Sequence, residues 1–196
     1  MEKKLDVVAI IKNGIELGMK NLVPILVNAL LWVLTIWIPY LNIGTTIGLA
    51  IGIVSKVSRG ETISMTEIFD PKYRKYMGEF FLTGGLVMVG VSFGYMMFLI
   101  PGIVISIAWS FATLLAVDKG KNPTEAITKS NEVTYGNKGR MFLSYLVLIV
   151  AVVVLCAIFS MIPAIGFILV LAVYVAMIFV MIGMQAYCYK ELCGAA

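Results

Sequence analysis

The sequence predicts an all-α membrane protein: six transmembrane helices paired as three hairpins, with amphipathic helices on the cytoplasmic face of the bilayer. Three observations carry that prediction. Only 13% of the 196 residues are charged and 61% are hydrophobic, about half the charge density of a soluble domain. The 15 basic and 11 acidic residues leave three charge-free runs, 21–55, 80–117 and 141–189, of 35, 38 and 49 residues. A crossing needs about 20 apolar residues, so each run is too long for one helix and suits two. Finally, each run is interrupted near its middle by an Ile-Pro pair beside turn-forming residues: Ile38-Pro39 before Tyr40-Leu41-Asn42, Ile100-Pro101 before Gly102, and Ile162-Pro163 before Ala164-Ile165-Gly166. Proline lacks an amide hydrogen and clashes with the preceding turn, so Pro39, Pro101, Gly102 and Pro163 are read as hairpin turns.

None of the three turns carries a charge. If they share one side of the membrane, every Lys, Arg, Asp and Glu lies on the other, the positive-inside rule at its extreme. The cell membrane is the expected location, with both termini cytoplasmic. Asp6 and Lys12 interrupt what would be the apolar core of a cleavable leader, so the first residues are expected to stay in the mature chain.

The elements follow in order along a single membrane domain, 1–196. Residues 3–19 predict an interfacial helix, because Asp6, Lys12, Asn13, Glu16 and Lys20 share one side of a helical wheel and Val7, Val8, Ile10, Ile11, Ile15 and Leu17 fill the rest. Hairpin 1 occupies 21–58. Its arms of about 15 residues, roughly 23 Å, fall short of about 30 Å of hydrocarbon, which leaves two readings: a full crossing extended by snorkelling Lys20, Lys56 and Arg59, and a shallow or re-entrant pair. A second interfacial helix is predicted over 62–78, opened by a Ser64-Met-Thr-Glu67 capping box and carrying interfacial Tyr73 and Tyr76. Hairpin 2 spans 80–118. A third interfacial helix is predicted over 122–136, with Asn122 as N-cap, Pro123 at the first helical position, Glu125 in the first turn and Gly136 as the stop. Hairpin 3 spans 140–188. The Ile-Pro pairs recur at intervals of 62 residues, which reads as an internal repeat of amphipathic segment plus hairpin.

Candidate functional residues are sparse. Gly44, Gly48 and Gly52, the pair Gly90 and Gly94, and the hydroxyls Ser106 and Ser110 stand four apart, the spacing that lets helices pack closely in lipid; the same faces are candidates for lining a pore. The polar residues inside the predicted spans are chiefly Asn28, Thr35, Ser92, Ser106, Ser110, Thr113, Ser144 and Gln185, none of them ionisable, which argues against a proton- or ion-coupled carrier. Asn28 is expected to bond across helices. Histidine is absent, the three cysteines suggest no disulfide framework, and Cys188 and Cys193 alone are a weak metal signal. Neither acid clusters nor a phosphate-binding loop appear, so no enzymatic activity, catalytic residue, metal or cofactor is expected. Lys72, Tyr73, Arg74 and Lys75, together with Asn122, Glu125 and Ser130, form a candidate surface for lipid headgroups or a protein partner.

The order Ser64-Met-Thr-Glu-Ile-Phe69, a span, Ile100-Pro-Gly-Ile103, Asp118-Lys-Gly-Lys-Asn122-Pro-Thr-Glu125-Ala-Ile127 and Ser130, followed by Gly136 and Phe142, resembles a family of uncharacterised six-helix integral membrane proteins of bacteria and archaea. That family is related to the membrane domain found beside some glycerophosphodiester phosphodiesterases. The resemblance covers most of the chain after residue 55 and implies a fold and a membrane location, without an activity. The functional expectation is a non-enzymatic membrane protein acting through helix-helix, lipid or partner contacts, as a scaffold, accessory subunit or membrane-stress or immunity factor. Membrane lipids, a second copy of the chain or another membrane protein are the expected partners, and nucleic acid is not. The alternative is a channel or uncoupled transporter lined by the small and hydroxyl residues.

Overall fold

A computed structural model describes residues 4–163 and 165–194; Lys3, at the start of the first predicted helix, and Ala164, in the third predicted turn, lie outside the described residues. The described chain is all-helical: α1 Val7–Lys20, α2 Leu22–Thr35, α3 Pro39–Arg59, a 3-10 turn Glu67–Phe69, the short α4 Lys72–Lys75, α5 Met77–Met97, α6 Leu99–Asp118, α7 Pro123–Thr134, α8 Lys138–Ser160 and α9 Gly166–Cys193. Five of these, α3, α5, α6, α8 and α9, are long and apolar enough to cross a membrane, and α1 with α2, bent by 69°, makes a sixth if the pair is one broken span.

Local chemistry explains most boundaries. Asp6 caps α1 by accepting from the Ala9 N–H at 2.9 Å, and Asn122 caps α7 by accepting from the Glu125 N–H at 2.9 Å. The Ile-Pro turns lie close to the predicted places, but two of the prolines open helices. Pro39 is the first residue of α3, where its missing donor costs nothing, so the turn occupies 36–38. Pro101 and Gly102 lie in the first turn of α6, and the break is the single extended residue Phe98 (φ −164°, ψ 159°). Pro163 stands within the turn before α9. Gly60, at φ 71°, closes α3 as the Glu61 N–H reaches back to the Lys56 carbonyl.

The middle predicted helix, 62–78, does not form. In its place are an irregular stretch, one 3-10 turn and one α-turn before α5. The capping box fails because Ser64 Oγ accepts from Thr66 rather than from Glu67, while the Glu67 carboxylate is drawn to Lys56 and Tyr73. Pro71 then prevents one helix from running through.

Helix pairing is antiparallel and depends on glycine. Gly94 of α5 lies against Gly102 and Ile105 of α6, Gly90 against Trp109, and Gly84 near Thr113; residue numbers rise on one helix as they fall on the other. The same holds for α1 on α9, where Gly14 meets Met184 and Gly18 meets Phe179 and Val180. The first helix therefore does not lie free on the membrane surface: Ile10, Gly14 and Gly18 are buried against the last helix. Leu5 holds its start by donating to Asn137 Oδ1 at 2.8 Å.

Burial divides the molecule in two. The contiguous apolar core, including Ile10, Ile25, Ile53, Ile68, Phe111, Leu115 and Met184, is built from α1–α3, the segment 63–73, the end of α6, α7, the start of α8 and the last half of α9. Away from it, α5, α8 and the first half of α9 expose large apolar side chains such as Met88, Val89, Val153 and Ile168, the pattern of helices solvated by lipid. α6 loosens into turns at 109–111 where these two parts meet. There Ser130 of α7 accepts from the Phe111 N–H at 3.1 Å and donates to the Ala108 carbonyl at 2.7 Å.

A Cβ at Gly183 would strike the Gly14 carbonyl oxygen and the Gly18 amide, whereas one at Gly85 meets nothing within 4 Å. Thermal unfolding in detergent should therefore show Gly183→Ala destabilised by about 1–3 kcal/mol and Gly85→Ala unchanged or stabilised by up to about 1 kcal/mol.

Candidate functional site

The ionisable side chains gather where α3, α6 and α9 end and the segment 61–76 crosses them. Two carboxylates organise the cluster. Asp118, the last residue of α6, accepts from Ser55 Oγ and from Arg59 at 2.6 Å, both on α3, and from the Tyr189 hydroxyl of α9 at 2.9 Å. Arg59 also pairs with Glu61 at 2.5 Å. The Tyr189 ring lies 5.8 Å from that of Phe111, so an apolar contact backs the polar one.

Glu67 is the second centre. Its carboxylate is buried and accepts from Lys56 at 2.8 Å, Lys72 at 3.3 Å and the Tyr73 hydroxyl at 2.7 Å. Burial by itself would push the Glu67 pKa up, but the hydrogen bonds from Lys56 and Tyr73 and the charge of Lys72 outweigh it and hold the carboxyl below its ordinary range. Burial likewise penalises the Lys72 ammonium, yet Asp70 and Glu67 leave its pKa raised. Tyr73 is pushed far up by its burial and by its bond to Glu67, so it stays a neutral donor. A cavity of about 320 Å³ lies between the two centres, lined by Gly52, Ser55, Arg59, Lys72, Tyr76 and Asp118 among others.

Two features that the sequence presents separately meet here. The Gly44, Gly48 and Gly52 face of α3 packs against the segment 68–74 and not against another spanning helix. A Cβ at Gly44 would meet Arg74 Cγ at 2.8 Å, one at Gly48 the Ile68 Cα at 2.8 Å, and one at Gly52 the Tyr73 ring. A π-helical turn, Gly48–Gly52, sits under that ring, a local widening of the helix often found where function or packing demands it. Asn28 does not bond to another helix either: its amide donates to the Ser64 carbonyl at 2.8 Å and its Oδ1 accepts from the Ile68 N–H at 3.0 Å. It thus holds the backbone of the same segment.

The remaining candidates scatter. Gly90 and Gly94 pack on α6, as described. Ser106 and Ser110 donate to carbonyls of their own helix, Gly102 at 2.7 Å and Ile107 at 2.9 Å. Of the candidate headgroup surface, Tyr73 and Ser130 are buried and do not belong to any exposed face. Tyr73 fills the glycine face and Ser130 mends α6. Asn122 is spent as a helix cap and Glu125 is exposed in the first turn of α7. Lys72, Arg74 and Lys75 stand over the rings of Tyr73, Tyr40 and Tyr76 at 4.8, 4.7 and 5.9 Å. Sequence reasoning missed Ser55, Arg59 and Tyr189 as partners of Asp118, and the Gly14, Gly18 and Gly183 contact. The Gly14-x3-Gly18 spacing was a usable signal for the latter. Cys156, Cys188 and Cys193 are free thiols, and among the described residues no three His, Cys, Asp or Glu side chains are grouped to hold a metal.

Comparison with known proteins gives distant relatives. Over 98 residues, half of this chain, it is 28% identical to the uncharacterized protein Rv2560 of Mycobacterium tuberculosis and to the uncharacterized protein Mb2590 of Mycobacterium bovis. The match spans 29% of each relative's length. No family model and no solved structure matches. The supported relationship is thus to uncharacterised mycobacterial proteins, and nothing in it leads to the glycerophosphodiester phosphodiesterases.

Because the folded-state pKa of Glu67 is depressed, its stabilising contribution is complete above the ordinary value of 4.5 and is lost as pH falls through the lower folded value. The melting temperature in detergent should hold from neutrality down to about pH 5 and then fall. Glu67→Gln should lower stability at pH 7 by roughly 1.5–3 kcal/mol and make the acid limb shallower.

Proposed function

We propose that this is a non-enzymatic integral membrane protein that works through contacts with lipid, with a second copy or with another membrane protein, as a scaffold, accessory subunit or membrane-stress or immunity factor. The observation that carries this reading is where the polar groups are spent. Ser106 and Ser110 bond to their own helix. The glycine face of α3 is filled by Ile68, Tyr73 and Arg74, and Asp118 and Glu67 are neutralised by neighbours. A conduit or a catalytic centre would draw on these groups, and each already serves the packing. The largest exposed faces are apolar, the outer sides of α5, α8 and α9, surfaces that suit lipid or another helix.

In this reading α5 with α6 and α8 with α9 form two crossing hairpins, and the charged cluster of Asp118 and Glu67 stands on the cytoplasmic side of the cell membrane with both termini. The concentration of Lys and Arg at that end supports the orientation. The cavity between Arg59 and Lys72 suits the polar part of a bound lipid.

Purified protein in sealed vesicles should pass ions and small solutes no faster than empty vesicles, and should carry lipid or a partner chain through purification. A sustained flux that Ser106→Ala or Ser110→Ala alters would establish the channel or transporter reading instead.

A further inference from the structure

We infer that residues 22–59, α2 with α3, do not cross the membrane but lie in the leaflet nearest the charged cluster of Asp118 and Glu67, as a prong whose outer surface is covered by lipid. The argument is geometric. α5 and α6 are antiparallel, so the segment that precedes Met77 and the residue that ends α6, Asp118, stand at the same end of that pair. Both ends of α3 are tied to that one end. At its start, the Tyr40 ring lies 4.7 Å beneath the guanidinium of Arg74, three residues before α5. At its finish, Arg59 pairs with Asp118 at 2.6 Å. A helix whose two ends meet the same end of a crossing pair lies across it and not alongside it.

The covering of α3 agrees. Between those ends its glycine face is occupied by 68–74, two single turns of helix broken at Asp70 and Pro71 and carrying Asp70, Lys72 and Arg74, a stretch whose free backbone groups and charges have no place in hydrocarbon unless water or protein surrounds them. α2 is also too shallow for a crossing. Its 14 residues make about 21 Å, and it bends 69° away from α1, which runs along α9. Measured in the α1 direction it advances only about 8 Å, against about 30 Å of hydrocarbon.

The outer surface of the prong identifies what covers it. Leu34, Trp37 and Tyr40 are 72%, 86% and 71% exposed, and Leu30 and Val33 beside them are exposed as well. Arg74 stands over the Tyr40 ring at 4.7 Å, and Lys72 and Lys75 lie on the same short helix. Large apolar groups with an aromatic rim and cations beside it are the chemistry of an acyl-chain and headgroup boundary.

The test uses the full-length protein in vesicles, with Cys156 replaced by Ala and the buried Cys188 and Cys193 retained. Single cysteines at Tyr40, Phe98 and Thr66 are treated with a membrane-impermeant maleimide from each face. In parallel, Trp32→Phe with Trp109→Phe leaves Trp37 as the sole tryptophan, and its fluorescence is read against lipids brominated at different acyl depths. The expected result is that Phe98→Cys and Thr66→Cys label from opposite faces, Tyr40→Cys never labels from the Phe98 face, and shallow bromines quench Trp37 severalfold more than bromines near the bilayer centre. Labelling of Tyr40→Cys from the Phe98 face would mean that the hairpin crosses and would overturn the inference. So would a Trp37 that no brominated lipid quenches, since the prong would then lie in water.

Discussion

Asp118 joins three helices that are far apart in sequence, receiving Ser55 and Arg59 from α3 and Tyr189 from α9 at the point where α6 ends. In a bundle whose apolar faces are solvated by lipid, burial gives little force for holding helices together. The association has to come from close backbone contact and from polar groups with no better partner. The charged end supplies the second of these. Without the carboxylate, Arg59 would keep Glu61 and Ser55, both within its own stretch of chain, and the Tyr189 hydroxyl would lose its acceptor. The core of Ile10, Ile53, Phe111 and Met184 is assembled around that join.

Glycine serves two different purposes in this chain, and the surroundings decide which. Between α5 and α6, and between α1 and α9, glycines remove side chains so that two helices can touch. On α3 they clear a floor for one aromatic ring, the stem of an arginine and an irregular backbone. The spacing of four is the same in all three cases. Only the partner differs, and it comes from the next helix for α5, from the segment some twenty residues on for α3, and from the far end of the chain for α1.

Much of this was legible in the sequence. The charge-free runs 80–117 and 141–189 located α5, α6, α8 and α9, because a helix in lipid must be apolar along its length and charge collects at its ends. Asn122, Pro123 and Glu125 announced the start of α7, a local signal that tertiary contacts did not override. The first hairpin was the hard part. Hydropathy records that a helix avoids water but not whether protein or lipid replaces it: 61% of the best apolar window of α3 is buried inside the protein, against 11% for α5. The capping box at Ser64 misled for a related reason, since the pull of Lys56 and Tyr73 on Glu67 is not visible locally. The site was the least legible, as Ser55, Asp118 and Tyr189 converge only through the fold.

The splint at the break in α6 has a mechanical consequence. Ser130 replaces two backbone partners at once, accepting from Phe111 and donating to Ala108, so α7 completes α6's own hydrogen-bond ladder. Lifting α7 would leave a buried N–H and a buried C=O unpaired, at about 1–3 kcal/mol for each, unless the turns at 109–111 wound into regular helix. Winding would shorten the path between the lipid-facing segment and Asp118. The position of α7 and the length of α6 are in this way coupled, geared through the Ser130 hydroxyl with that of Thr134 beside it.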